Sequence, residues 1–146
     1  MGHTRSLGIV AVLGLIASGA PPALAQATYH VIVHPSVRGN TIPRATLSAI
    51  FLKQARKWGD GTAVVPVDQS LRSPVREAFC REVLGQQVDA MNVYWLRLVA
   101  QGVMPPMVKS SNLDILSFVA STPGSIGYVS SDTPLPDSVR AIGIVN

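Results

Sequence analysis

Thr62-Ala-Val-Val-Pro-Val-Asp-Gln-Ser-Leu-Arg-Ser-Pro-Val-Arg-Glu-Ala-Phe79 changes period in its middle, and that change decides the fold class. Its first third, Thr62 to Val67, is short, apolar and β-branched, which reads as a strand, with Pro66 marking an edge or a strand end. Ser73-Pro74 then supplies a helix cap followed by proline at the first helical position. Val75, Phe79 and Val83 continue as the apolar face of a helix that closes at Gly85. A strand feeding a helix through a short polar loop is the unit of an α/β sheet.

The flanking sequence repeats the alternation. Upstream, Tyr29 to His34 is a compact buried strand ended by Pro35. Asn40-Thr41-Ile-Pro43 offers a cap and an early-helix proline ahead of Leu47, Ile50 and Phe51, whose spacing predicts a helix to about Lys53. Downstream, a helix is expected over Val88 to Ala100, with Met91, Tyr94, Trp95 and Leu98 inward and Gly102 closing it. Met104 to Met107 reads as irregular. Ser111 or Asn112 caps a further helix carrying Leu113, Leu116, Phe118 and Val119, and Ser125–Val129 and Val139–Val145 are the last strands. The expected order is β-α-β-α-α-α-β-β, a mixed α/β sheet with flanking helices.

The chain has 146 residues, 47% hydrophobic and 14% charged, a balance that excludes disorder and coiled coil. Part of the apolar excess lies at the start. Arg5 precedes the run Leu7–Ile16, and small residues lead to Ala23-Leu24-Ala25, the pattern of a secretory signal peptide. The run is too short for the roughly 20 residues a membrane span needs. Residues 1–25 are therefore expected to be a leader and 26–146 a single periplasmic domain that does not span the membrane. No cysteine stands at the expected cleavage point, so no lipid anchor is expected.

Cys80, the single cysteine, falls on the flank of an apolar stripe and reads as a core residue, since no activating histidine lies near it in sequence. His30 and His34 share one strand face, but no acidic or cysteine partner completes a metal set. Asp132 and Asp137 read as turn residues. No hydrolase, P-loop, zinc-protease or dinucleotide motif occurs, so neither an enzyme nor a cofactor is expected. The formal charge of +4 falls by one if Arg5 is removed, and the basic residues are scattered rather than striped, which gives no nucleic-acid footprint. Arg38, Arg44, Lys53, Arg56 and Lys57 do gather around the first helix, which leaves open an acidic partner or surface as well as a merely solvated face.

Ile50-Phe51-Leu52 leading to Trp58, Asp68 to Phe79, Tyr94-Trp95, Pro105-Pro106, and Pro123-Gly-Ser-Ile-Gly-Tyr-Val129 together resemble the phosphate ABC transporter substrate-binding proteins, specifically short members built as one lobe. The resemblance implies one lobe of a type II periplasmic binding protein, with phosphate or a related oxyanion as ligand and an ABC permease as partner. It also implies an anion site at a helix N-terminus, where the family carries Ser-Gly-Thr and an arginine four residues earlier. Alignment on Phe79 places Ser73 at the serine, Pro74 at the glycine, Val75 at the threonine and Gln69 at the arginine. The serine is kept, while the threonine hydroxyl, the glycine N–H and the arginine charge are lost.

The residues support two readings of this spot. A helix N-terminus exposes N–H groups and partial positive charge, to which Arg72 and Arg76 could add bidentate donors, giving an anion site of Arg72, Ser73, Val75 and Arg76. Alternatively, Ser73 is only a cap and the arginines are solvated, with Arg76–Glu77 and Arg81–Glu82 as local pairs. The two functional classes that follow are a solute-binding protein and a ligand-free interaction module of the cell envelope on the same lobe.

Overall fold

Tyr29–Val33 lies between two partners inside the sheet. The computed structural model describes residues 28–146, together with Gly2 and Gly19, so the leader reading lies outside the described residues. The elements are β1 (Tyr29–Val33), β2 (Thr41–Pro43), α1 (Arg44–Phe51), β3 (Val65–Gln69) and α2 (Pro74–Phe79), which runs on as a π-helical turn (Cys80–Leu84). They continue as α3 (Val88–Val99), β4 (Met107–Lys109), α4 (Asn112–Ser121), β5 (Ser125–Ser130) and β6 (Arg140–Val145). The sheet runs β2-β6-β1-β5-β3-β4. β1 is antiparallel to both β5 and β6, β2 is parallel to β6, and β3 is parallel to β4 and β5. Five strands thus share one direction and β1 alone is reversed, which is the mixed α/β architecture expected.

Period-two alternation in β1 divides the core. Tyr29, Val31 and Val33 face α1 and α2, joining Leu47, Ile50, Phe51, Phe79, Ile126 and Tyr128 in one cluster. Ile32 points the other way, with Val67 and Val129, into the face covered by Ile115, Leu116 and Val119 of α4. Phe79 stacks on Tyr128 with ring centroids 4.0 Å apart, and Phe51 and Tyr29 meet Phe79 edge-on at 4.8 and 5.6 Å. Each such pair adds about 0.5–1.5 kcal/mol beyond area burial, and together they pin α1 and α2 to the centre of the sheet. On the opposite face Gly127 lets α4 approach: a Cβ there would lie 2.8 Å from Val67 Cγ1 and 3.0 Å from Ile115 Cγ2. α3 forms an outer layer, with Met91 and Trp95 packed on Cys80, Leu52 and Leu84.

The structure corrects four sequence expectations. Thr41–Pro43 is an edge strand rather than a helix start, because Ile42 is buried opposite Ile144 while Pro43, extended at φ −61° and ψ 138°, becomes the residue before α1. Met107–Lys109 is the other edge strand, invisible to periodicity because none of its side chains is buried. β3 begins later than expected and extends over Asp68 and Gln69. Leu113 is 72% exposed, so the inward face of α4 is Ile115, Leu116 and Val119. Pro66 does sit where its missing N–H costs least, since β4 pairs with β3 only from Val67 onward.

Candidate functional site

β5, β3 and β4 end along one edge of the sheet, at Ser130, Gln69 and Lys109. From that edge β3 continues through Ser70-Leu71-Arg72 to the start of α2, and β4 continues through Ser110 to the start of α4. The two helix starts flank a groove of about 560 Å³ lined by Ser70, Arg72, Ser73, Ser110, Ser111 and Asp132 among others. Ligand crevices in open α/β sheets lie outside the carboxyl ends of parallel strands, between helix N-termini.

The helix starts differ. Ser111 caps α4 conventionally, its Oγ accepting from the Asp114 N–H at 3.1 Å. Ser110 Oγ donates to the Asp114 carboxylate at 2.9 Å, and hydroxyl hydrogen bonding, from Ser110 first and then Ser111, holds the Asp114 carboxyl below its ordinary value. That end of α4 already carries its own counter-charge. At α2, Ser73 is extended (φ −75°, ψ 124°) and its hydroxyl makes no capping bond. Its carbonyl accepts from the Glu77 N–H at 3.2 Å. Pro74 has no N–H, so Val75 and Arg76 supply the first-turn donors. Arg72 is exposed beside them, and the ion pairs found among the described residues, Arg76–Asp68 and Arg81–Glu82, do not involve it.

Arg76 departs from both sequence readings. Its side chain turns under the helix, where the residue is 4% exposed. Nη2 lies 3.2 Å from Asp68 Oδ2, and Nη1 donates to the Gln69 carbonyl at 2.6 Å. The guanidinium therefore neither lines the groove nor pairs with Glu77, because a buried carboxylate claims it. Arg81 and Glu82 do form the expected local pair, at 3.7 Å.

Asp68 is the hub of a buried network that forms the floor of the groove. Oδ1 accepts from the Tyr128 hydroxyl and from the Gln69 N–H at 2.8 Å. Gln69 Nε2 donates to Asn112 Oδ1 at 2.8 Å and to the Tyr128 carbonyl at 2.9 Å. Asn112 Oδ1 also accepts from the Ser130 N–H at 3.2 Å. The ends of β3 and β5 and the starts of α2 and α4 are thus tied together beneath the groove. Burial pushes the Asp68 carboxyl upward, opposed by Arg76, Tyr128 and Gln69. Burial, and then the Asp68 charge, push the Tyr128 phenol well above its ordinary value.

Periodicity could not reveal this floor. Asp68 and Gln69 look like the polar end of a strand, and Asn112 and Tyr128 reach them from far along the chain. The usable signal was a charged residue immediately after an apolar strand. Gln69 stands where the resemblance would put an arginine, and its amide is committed inward.

The remaining candidates stay apart. Cys80 is 1% exposed beneath α3, and burial followed by the Asp68 charge raises its thiol pKa, so it behaves as a core residue. His30 is exposed, and His34 Nδ1 lies 2.8 Å from Ser36 Oγ. Among the described residues no three His, Cys, Asp or Glu side chains converge. Asp132 sits on the groove rim, where its carboxylate accepts from Ser130 Oγ. The groove therefore offers hydroxyl and amide donors, one free guanidinium and one carboxylate, a donor-rich set suited to holding an oxygen-bearing ligand.

No family model matches the sequence, and no curated protein matches it. Solved structures do share its fold. An ABC-type phosphate transport receptor from Vibrio cholerae superposes with a TM-score of 0.63 at 18% identity, covering 80% of this chain and 46% of that one. A candidate phosphate ABC transporter substrate-binding protein from Clostridium perfringens, solved with bound phosphate, gives 0.63 at 20% identity over 80% and 44%. PstS from Borrelia burgdorferi gives 0.63 at 14% identity over 80% and 47%. The chain thus has the fold of one portion of phosphate ABC transporter substrate-binding proteins and spans less than half their length. Among the described residues no helix is long and apolar enough to cross a membrane.

Proposed function

We propose that this protein is a periplasmic solute-binding lobe that takes phosphate or a related tetrahedral oxyanion in the groove between α2 and α4. Residues 1–25 would direct its export, and an ABC permease would be its partner. The observation that carries the reading is the open start of α2 at the carboxyl ends of three parallel strands, with the Val75 and Arg76 N–H groups uncapped by Ser73 and the Arg72 guanidinium beside them. An oxyanion there meets backbone donors, the Ser73 hydroxyl and one bidentate cation. Arg76 contributes its backbone N–H and, through Asp68, the rigidity of the floor. The bound phosphate of the Clostridium perfringens structure lends support by likeness of fold.

A second reading, an envelope interaction module that binds no small ligand, is favoured by α3, where Val93 and Leu96 are 59% and 73% exposed. Thermal unfolding with millimolar phosphate, sulfate or chloride separates the two. At 100 times its dissociation constant a ligand adds about 2.7 kcal/mol of stability. Solute binding predicts a rise with phosphate that Arg72→Ala and Ser73→Ala abolish. A flat response to every anion from folded protein rejects it and leaves the module.

A further inference from the structure

A second pocket lies at the opposite end of β3, away from the groove. It measures about 250 Å³ and is bounded by Lys53, Arg56, Val64, Pro66, Val103 and Met104 among others. The sequence explains why it exists. β4 follows β3 only from Val67 onward, because Pro105-Pro106 carries the chain away before that point. The flank of β3 at Val65 and Pro66 is left without a neighbouring strand on the β4 side, and the segment Gly102–Met104 closes over the gap as a wall.

Two of the residues that bound it are cationic. Lys53 follows the end of α1 with φ 61°, and it is the one non-glycine residue with positive φ among those described. That position after a helix usually belongs to glycine or asparagine, because a Cβ is disfavoured there. A residue held in such a conformation next to a cavity invites a functional explanation. Arg56 Nε donates to the Lys53 carbonyl at 3.4 Å, so the two basic residues are joined through the turn. No carboxylate is among the residues bounding the pocket, and neither cation is in the ion pairs found among the described residues. Burial, and then the Arg56 charge, lower the Lys53 ammonium pKa, as expected of a cation short of a counter-ion.

We infer that this pocket is a second binding site, distinct from the groove, for a small aliphatic carboxylate whose anionic head pairs with Lys53 and Arg56 and whose short apolar body lies against Val64, Pro66, Val103 and Met104. The volume falls below the roughly 300–1,000 Å³ of pockets that hold drug-sized ligands, which restricts the occupant to a short chain. Ammonium and guanidinium select an anionic head, and Val64, Pro66, Val103 and Met104 offer the short body its apolar contacts.

Equilibrium dialysis of the purified protein against labelled butyrate, with neutral butyramide as competitor, tests the site. Lys53→Gly suits the purpose because it keeps the left-handed turn while removing the ammonium. Arg72→Ala reports on the groove. The expected result is one saturable site, insensitive to butyramide, at least tenfold weaker in Lys53→Gly and unchanged in Arg72→Ala. Absence of saturable binding, an unaltered affinity in Lys53→Gly, equal weakening in Arg72→Ala, or competition by butyramide would each overturn the assignment.

Discussion

Arg76→Met removes the guanidinium that answers Asp68 and keeps most of the side-chain volume beneath α2. In the native protein the pair is 3.2 Å apart, with side-chain exposures of 5% and 10%, so solvent screens little of the interaction. Breaking one partner of such a pair leaves an uncompensated buried charge and costs about 3–5 kcal/mol. For a domain of this size, at about 4 °C per kcal/mol, the melting temperature should fall by roughly 12–20 °C. The loss should also depend on pH. Without Arg76 nothing cationic offsets the burial that raises the Asp68 carboxyl above its unfolded value of about 3.9. A raised folded-state pKa gives stability that is fully present below the unfolded value and lost as pH rises through the folded one. The variant should therefore recover part of its deficit relative to wild type as pH falls toward that unfolded-state value. Urea unfolding of both proteins at several pH values measures this. A deficit under about 1 kcal/mol that ignores pH would mean a solvated guanidinium free to reach the groove, and would refute the floor as described.

Two further predictions concern the sheet that carries the groove. Gly124 has φ +77°, and a Cβ there would run into the Ala63 carbonyl oxygen, while the Gly124 carbonyl accepts from Trp58 Nε1 at 2.9 Å. Gly124→Ala should destabilise by about 2 kcal/mol or more, read as a lower urea midpoint with weakened near-ultraviolet dichroism from Trp58. Burial raises the phenols of both Tyr29 and Tyr128, so their stabilising contribution is complete below about pH 10 and disappears as pH climbs past it. Their phenolate absorbance should therefore emerge together with unfolding, and a smooth titration of both in the native state would contradict the burial.

The sequence revealed the elements with a buried face and missed those without one. β1 and the helical pattern from Pro74 to Gly85 stood out because Val31, Val33, Phe79 and Val83 recur at strand or helix spacing. β2 and β4 were missed because a three-residue edge strand gives no repeat to detect, and Pro43 read as a helix signal when it closes a strand. The helix start at Ser73-Pro74 was legible from the proline, but the capping bond expected of Ser73 is not made. The fate of Arg76 was not, because the partner that draws it inward, Asp68, lies eight positions earlier and is buried only once Tyr128 and Gln69 have closed over it. A local pair with Glu77 is available to an exposed arginine; a buried carboxylate whose charge no other cation answers outcompetes it.

The central claim is that the uncapped start of α2 receives an oxyanion with Arg72 as the cation. Amide NMR of the purified protein during a phosphate titration tests it most directly, because it reports position as well as affinity. The account predicts saturable shifts centred on the Val75 and Arg76 amides and extending to Asn112, with Arg72→Ala abolishing them while leaving the spectrum folded. Shifts confined to residues outside the groove, or an unchanged response in Arg72→Ala, would contradict it.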